Sequence, residues 1–215
     1  MRLLKELLFI FLVSLFFAGL TVSVNQALSG RILLNEQTRN TKKLLQVFKI
    51  PYAENASPES LRQLEAKRID EGRLDGTTVY RGLDEKGEPL GYAIPISGKG
   101  FWGRIHGFLS LDNDLKAIKG IVFTSHNETP GLGARIEEQW FRAQFEGLQL
   151  ANAVRPGKYV EISKSDDSGK NKLDAITGAT MTSVALEKIV NDDLKSFVAN
   201  QDKFRRIEWE SPQRK

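Results

Sequence analysis

The segment from Asp174 to Ser183 holds the residue pattern in this chain that is best suited to chemistry. Its sequence, Asp-Ala-Ile-Thr-Gly-Ala-Thr-Met-Thr-Ser, sets hydroxyl side chains around a Gly-Ala pair. Gly178 and Ala179 let another molecule approach the backbone closely, because neither carries a bulky side chain. A helix start of this kind binds phosphate groups, although a plain N-capped helix after a glycine turn has the same residues. The segment is not a P-loop, because no Lys follows the glycine.

An amphipathic helix follows this segment and would position it. Its apolar residues share one helical face: Leu186, Ile189, Val190, Leu194 and Phe197. We predict a helix from Ser183 to Val198, with Thr182 as its cap and Thr180 at its entry.

Residues 177–182, Thr-Gly-Ala-Thr-Met-Thr, resemble the S/T-G-A-T-x-T/S flavinylation motif of the FMN-binding domain family. The resemblance implies that a dedicated flavin transferase attaches FMN covalently, through a phosphoester, to Thr180. It also implies that the other small and hydroxyl residues of the motif contact the cofactor, namely Thr177, Gly178, Ala179 and Thr182.

A second motif, His-Asn-Glu-Thr-Pro-Gly-Leu-Gly, occupies residues 126–133 between a predicted strand and a predicted helix. Taken alone, it is a Pro-Gly turn that redirects the chain. As a whole it resembles a segment of the NqrC and RnfG proteins, which are membrane-anchored flavoproteins of Nqr-type and Rnf-type ion-pumping complexes. This resemblance implies that Glu128, Thr129 and Leu132 line the flavin ring pocket. Trp102 resembles a tryptophan of the Nqr protein, and either packs on the ring or belongs to the core.

The composition excludes several other kinds of site. The chain has no cysteine and two histidines, so thiolate chemistry and cysteine-ligated metals are excluded and a protein-only metal centre is not expected. We interpret the two, His106 and His126, as structural or solvent-exposed and not as catalytic. The net charge of +4 is spread among interleaved acidic and basic residues, which argues against nucleic-acid binding. Redox chemistry would therefore require an organic cofactor.

The apolar run Leu7–Val24 contains no charged residue and is long enough to cross a bilayer as a helix. Arg2 and Lys5 precede it, as in a signal peptide, but no small-residue cleavage site follows it. We therefore predict an uncleaved, single-pass anchor in contact with membrane lipid. Basic residues on both sides leave the orientation open by charge alone. The family resemblance implies an inner-membrane protein with its soluble domain on the periplasmic side.

The rest of the chain predicts an α+β domain in which antiparallel hairpins alternate with helices. Ser57 and Pro58 indicate a helix start, and Gly72 a turn. A further helix is predicted at Ala134–Phe145, and a polar loop at Ser163–Lys172. The predicted strands are Thr77–Arg81, Leu90–Ile96, Ile105–Leu111, Ala117–Thr124 and Tyr159–Ile162. The predicted organisation is an anchor (1–24), a helical stalk (25–71), an FMN-binding domain (72–204) and a frayed tail (205–215).

The function that the resemblance implies is an electron-transfer subunit of an Rnf- or Nqr-type membrane complex, with other membrane subunits as partners. No catalytic side chain and no separate substrate site are expected, because the flavin supplies the redox chemistry. A stand-alone membrane-anchored flavoprotein that serves a separate reductase is the alternative. A binding domain that has lost its cofactor is a third possibility, against which the intact motif argues.

Overall fold

The structure is a computed structural model, and it describes residues 2–164 and 169–211. It contains two compact units, Met1–Arg39 and Asn40–Lys215. Helix α1 (Arg2–Val47) begins in the first unit, and within the described residues it is the one helix long and apolar enough to cross a membrane. The predicted apolar run therefore lies within a longer continuous helix.

The C-terminal end of α1 belongs to the second unit and ends in a Schellman motif. Lys49 adopts a left-handed conformation (φ 58°), and its N–H donates to the Gln46 carbonyl at 3.0 Å. The N–H of Ile50 donates to the Leu45 carbonyl at 2.9 Å, which completes the motif. The helix was predicted to end at Pro51, and these backbone hydrogen bonds end it just before that residue.

A five-stranded antiparallel meander forms the centre of the second unit. Each strand pairs with the next in sequence: β1 (Ile69–Leu74), β2 (Thr77–Leu83), β3 (Pro89–Lys99), β4 (Arg104–Leu111) and β5 (Ile118–Ser125). Between β1 and β2, Asp75 and Gly76 both have positive φ, as a two-residue hairpin turn requires. The four hairpin strands predicted from alternation are confirmed.

Alternate strand residues face two separate cores, one on each face of the sheet. On one face, Ala93, Phe108 and Val122 pack with the end of α1 and with α2 (Pro58–Arg68). On the other face, residues such as Ile94 and Leu109 pack against α4 (Thr180–Ala199). The predicted α+β class is confirmed, and Ser57 caps α2 as expected by accepting from Ser60 N at 3.2 Å.

Gly72 was predicted as a turn, but it lies within β1 and pairs with Val79. A Cβ at this position would lie 2.4 Å from the Ile207 side chain and 3.1 Å from the Trp209 ring. Glycine is therefore needed because the C-terminal segment packs here. The frayed tail predicted from Arg205 is also incorrect as far as Ser211, since Glu71 and Glu210 exchange two backbone hydrogen bonds. Residues 212–215 lie outside the described residues.

The second half of the domain differs from the prediction in two places. The helix expected at Ala134–Phe145 is divided into a 3₁₀ helix (Gly133–Glu137) and α3 (Gln139–Ala143), because Glu138 has an extended backbone. The last predicted strand lies slightly later, as β6 (Glu161–Ser163), and pairs in parallel with β7 (Lys172–Asp174). Strand β7 begins in the predicted polar loop, of which residues 165–168 lie outside the described residues.

A four-residue helix, α5 (Gln201–Phe204), follows α4 and completes the described elements. Phe204 is buried in contact with the rings of Tyr92, Phe197 and Trp209. These contacts fix the C-terminal side of α4, while its N-terminal end is left at the surface where the first sequence motif lies.

Candidate functional site

A surface cavity of about 350 Å³ lies where three segments meet. These are the bend of residues 100–103 between β3 and β4 (the aromatic bend), the loop of residues 126–133 after β5 (the Pro-Gly loop), and the start of α4 with the turn before it. The lining residues are Phe101, Trp102, Thr129, Leu132, Gly133, Gly178, Ala179, Thr180, Met181 and Thr182. The fold thus brings both sequence motifs and the tryptophan bend to one place.

Most of the predicted cofactor-binding residues line this cavity, namely Trp102, Thr129, Leu132, Gly178, Ala179, Thr180 and Thr182. Two predicted residues do not. Thr177 is exposed in the turn that precedes Gly178, and Glu128 is buried behind the cavity wall.

Helix α4 begins at Thr180, earlier than the predicted start at Ser183. Ala179 is the N-cap residue and provides no side-chain hydrogen bond, so the backbone N–H groups of the first turn lack a side-chain cap among the residues that the structure describes. The prediction that Thr182 caps this helix is wrong, because its hydroxyl points into the domain and donates to Glu128 Oε2 at 2.6 Å. The exposed Thr180 therefore lies at an uncapped helix N-terminus, which attracts anions.

The turn before α4 depends on Gly178 and Ser183. Gly178 has φ +79°, a backbone conformation that residues with a side chain rarely adopt. A Cβ at this position would also lie 3.1 Å from the Leu132 side chain. The buried Ser183 hydroxyl accepts from Ile176 N at 3.2 Å and donates to the Ala179 carbonyl at 3.1 Å. The motif thereby keeps the turn closed while Thr180 remains accessible.

The Pro-Gly loop is closed by its own backbone. The Thr129 carbonyl accepts from Leu132 N at 3.1 Å and from Ala134 N at 3.0 Å, and Gly131 has φ +74°. His126 fixes the beginning of this loop, because its Nδ1 accepts from Glu128 N at 3.3 Å. On its other side, His126 Nε2 lies 3.6 Å from Glu137 Oε1. These contacts give His126 a structural position, as the sequence indicated.

Glu137 joins His126 to the end of α1. The neighbouring His126 imidazole is the main cause that holds the pKa of the Glu137 carboxyl below its usual value, and the charge of Lys43 adds to it. Within the described residues, no group of three His, Cys, Asp or Glu side chains could hold a metal ion.

The aromatic bend presents its rings to solvent. Trp102 is 66% exposed and Phe101 48%, and their rings meet edge to face with centroids 5.0 Å apart. The alternative that Trp102 is an ordinary core residue is therefore wrong. Phe101 and Met181, which is 58% exposed, also line the cavity and were not singled out from the sequence. The signal that could have indicated Met181 is an apolar residue between two threonines, just before the predicted helix.

Comparison with known proteins finds a family that matches the part of the chain that forms the cavity. The FMN-binding domain family matches residues 100–195, a range that includes every residue lining the cavity. The resemblance inferred from the two motifs is therefore confirmed.

Two curated relatives are similar to this chain over about half of its length. The NqrC component of the Na⁺-translocating NADH-quinone reductase from Pasteurella multocida (strain Pm70) is 36% identical over 112 residues, or 52% of this chain and 43% of the relative. The component of the same name from Pseudomonas aeruginosa is 31% identical over 133 residues, or 58% of this chain and 51% of the relative. The chain spans about half the length of these relatives.

Two solved structures share the fold. Shewanella oneidensis NqrC superposes with a TM-score of 0.60 at 19% identity, covering 73% of this chain and 91% of that chain. The equivalent component of the Na⁺-translocating NADH-quinone reductase from Parabacteroides distasonis ATCC 8503 gives 0.66 at 23% identity, covering 80% and 95%. At these identities the likeness establishes the fold alone.

Proposed function

Because residues 100–195 match the FMN-binding domain, we propose that the cavity holds FMN and that the protein carries electrons as a subunit of a membrane oxidoreductase complex. The relatives reported above bear the name of the Nqr component, which favours an Nqr-type complex over an Rnf-type one. The observation that carries this proposal is the assembly of both sequence motifs around one cavity at the start of α4.

The lining residues fit the two chemically different ends of FMN. Phe101, Trp102 and Leu132 form an apolar and aromatic wall suited to a flat ring system. The uncapped first turn of α4 suits a phosphate, and the Thr180 hydroxyl is the group that a phosphoester would use. The Thr129 hydroxyl can bond a polar ring edge. FMN supplies the electron-transfer chemistry, and these residues bind it, orient it and limit its contact with water.

Covalent attachment suits a carrier that passes electrons between neighbouring subunits, because a tethered cofactor cannot dissociate. In this proposal a flavin transferase moves FMN to Thr180 from an activated flavin phosphate during maturation: the threonine oxygen forms the new bond to phosphorus, the bond to the donor's leaving group breaks, and the hydroxyl proton passes to solvent. No side chain of the site needs to act as an acid, base or nucleophile during electron transfer. A separate substrate site is therefore unnecessary, and the partners are the other membrane subunits.

Purified full-length protein should show flavin absorbance and co-purify with multi-span membrane proteins. Leu132→Ala should keep the flavin attached but change its visible spectrum and midpoint potential, because it removes part of the apolar wall. A redox titration of both proteins measures this, with Glu85→Ala in a remote exposed turn as the control. No flavin absorbance after co-expression with the transferase would refute the proposal. Flavin without membrane partners would favour the stand-alone carrier.

We further propose that the first unit anchors the protein and leaves the flavin domain outside the cytoplasm. Helix α1 supplies the long apolar stretch that such an anchor requires. The double change Leu12→Arg, Phe16→Arg should move the protein out of the membrane fraction, because each central Arg costs about 2.5–3.5 kcal/mol. The polar-segment pair Asn35→Arg, Thr38→Arg is the matched control.

Fractionation of cells that express each variant measures this effect. Retention of the double variant in washed membranes would contradict the anchor, as would a mature wild-type chain that begins near Ala27. The side of the membrane can be tested with Glu85→Cys, since the natural chain has no cysteine. An impermeant maleimide should label it in cells whose outer membrane alone is opened, and labelling only after cell lysis would place the domain inside.

A further inference from the structure

Glu128 occupies a position that differs from the one expected of a cofactor-contacting carboxylate. The residue is 4% exposed and does not line the cavity. Its Oε1 accepts from the backbone N–H groups of Phe101 at 2.9 Å and Trp102 at 3.1 Å. Its Oε2 accepts from the Thr182 hydroxyl at 2.6 Å. One side chain of the Pro-Gly loop therefore bonds the other two segments that form the cavity.

We propose that Glu128 is a positioning residue whose carboxylate holds the aromatic bend and the start of α4 in place before FMN binds. This inference rests on the proposed function for its biological meaning, but the contacts that carry it lie entirely within the protein. The Phe101 and Trp102 side chains are 48% and 66% exposed, so burial alone does not hold the bend, and its backbone hydrogen bonds contribute to its position. Glu128 accepts these bonds from the Pro-Gly loop.

The surroundings of the carboxylate are shaped for it. A Cβ at Gly100 would lie 2.5 Å from Glu128 Oε1, and a Cβ at Gly133 would lie 2.9 Å from Glu128 Oε2 and 2.5 Å from the Thr182 hydroxyl. Two glycines therefore make room on either side of one buried side chain. All three of its hydrogen-bond partners are donors, as an ionised carboxylate requires. Both oxygens are used within the protein.

This geometry gives Thr182 a role as well. The last hydroxyl of the Thr-Gly-Ala-Thr-Met-Thr motif does not cap the helix, but ties the helix start to Glu128. Thr182 lies two residues after Thr180, so this bond fixes the position of Thr180 relative to the Phe101 and Trp102 rings. The Glu128–Thr182 hydrogen bond thus links the proposed ring wall directly to the helix start that holds the proposed attachment point.

Two substitutions at Glu128 distinguish the loss of its hydrogen bonds from the loss of its carboxylate group. Glu128→Ala leaves two backbone N–H groups and a hydroxyl without their partner, which frees the bend. Glu128→Gln keeps one oxygen for the two N–H groups and can donate its amide to the Thr182 oxygen, so the bend stays in place although the charge is lost. Thr182→Ser keeps the hydroxyl, whereas Thr182→Val removes it at similar size.

The test uses the full-length chain produced without the flavin transferase, so that no covalent FMN is present. Hydrogen exchange of a peptide that covers residues 99–104 reports the bend directly, and titration with FMN gives the affinity. We expect Glu128→Ala to raise the exchange of Phe101 and Trp102 by about tenfold or more and to weaken FMN binding by a similar factor. Glu128→Gln and Thr182→Ser should stay near wild type, with Thr182→Val between them and Glu128→Ala.

Two controls exclude general destabilisation. Glu85→Gln removes a charge in a remote, exposed turn and should change neither readout. Leu111→Ala opens a cavity at the end of β4 opposite the aromatic bend, where Leu111 is fully buried, and should lower the melting temperature without altering the bend.

Unchanged exchange in Glu128→Ala would overturn the inference, and weaker FMN binding without faster exchange would show direct contact with FMN instead. If Leu111→Ala lost FMN binding to the same extent, the weaker binding of Glu128→Ala would be explained by lower stability of the domain. If the wild-type chain binds no free FMN, the exchange data still decide whether Glu128 positions the bend, while flavin absorbance after co-expression with the transferase decides the proposed function separately.

Discussion

Replacing Thr180 by valine is expected to abolish covalent attachment of FMN while leaving the domain folded. Thr180 is the first residue of α4, is exposed at the cavity, and its side chain makes no hydrogen bond to other described residues. Valine has nearly the same shape, so the helix start loses only the hydroxyl. Because the phosphoester requires that oxygen, the loss should be complete. The uncapped first turn remains and should still bind free FMN weakly.

The effect can be measured by denaturing gel electrophoresis followed by in-gel flavin fluorescence, after co-expression with the transferase. Thr177→Val is the matched control, because Thr177 is exposed in the same motif but does not line the cavity. It should keep a fluorescent band, reduced to the extent that the transferase reads this residue. A fluorescent band in Thr180→Val at wild-type intensity would rule out Thr180 as the attachment point.

Gly133→Ala should eliminate FMN loading through a steric effect. The added Cβ would lie 2.5 Å from the Thr182 hydroxyl and 3.0 Å from Glu128 Cβ, so the Glu128–Thr182 hydrogen bond cannot persist unchanged. Overpacking of this kind costs about 1–3 kcal/mol of stability. The larger consequence is local, since the shift moves the aromatic bend relative to α4.

Gly131→Ala in the same loop is the control. Gly131 has φ +74°, so alanine is strained there by about 1–2 kcal/mol, but nothing lies within 4 Å of the added Cβ. The two variants should therefore lose similar stability in thermal unfolding, whereas Gly133→Ala alone loses flavin. If Gly131→Ala abolished loading equally, stability of the loop, and not the Glu128–Thr182 contact, would be the cause.

The meander was predictable from the sequence because its strands alternate between apolar and other residues around short turns. Strand β1 was missed since Gly72 indicates a turn when the C-terminal segment that packs against it is unknown. Strand β7 was missed because its residues, Lys-Leu-Asp, have no local signal and depend on pairing with β6. Long-range packing decided both cases.

Long-range contacts also decided which parts of the candidate site could be predicted from the sequence. Two motifs located the lining loops, because their residue patterns resemble those of the FMN-binding domain family. The direction of the Glu128 side chain was not predictable, since it depends on backbone N–H groups of residues 101–102, far away in sequence. Likewise, Thr182 fits a helix cap by its position alone, and only the packed domain reveals its bond to Glu128.

Mass spectrometry of the tryptic peptide 173–188, from protein matured with the transferase, tests directly whether this chain carries its flavin on the start of α4. We expect this peptide to gain the mass of FMN less one water, with fragmentation placing the addition on Thr180. An unmodified peptide, or an addition that maps to Thr177, Thr182 or Ser183, would contradict the proposed attachment.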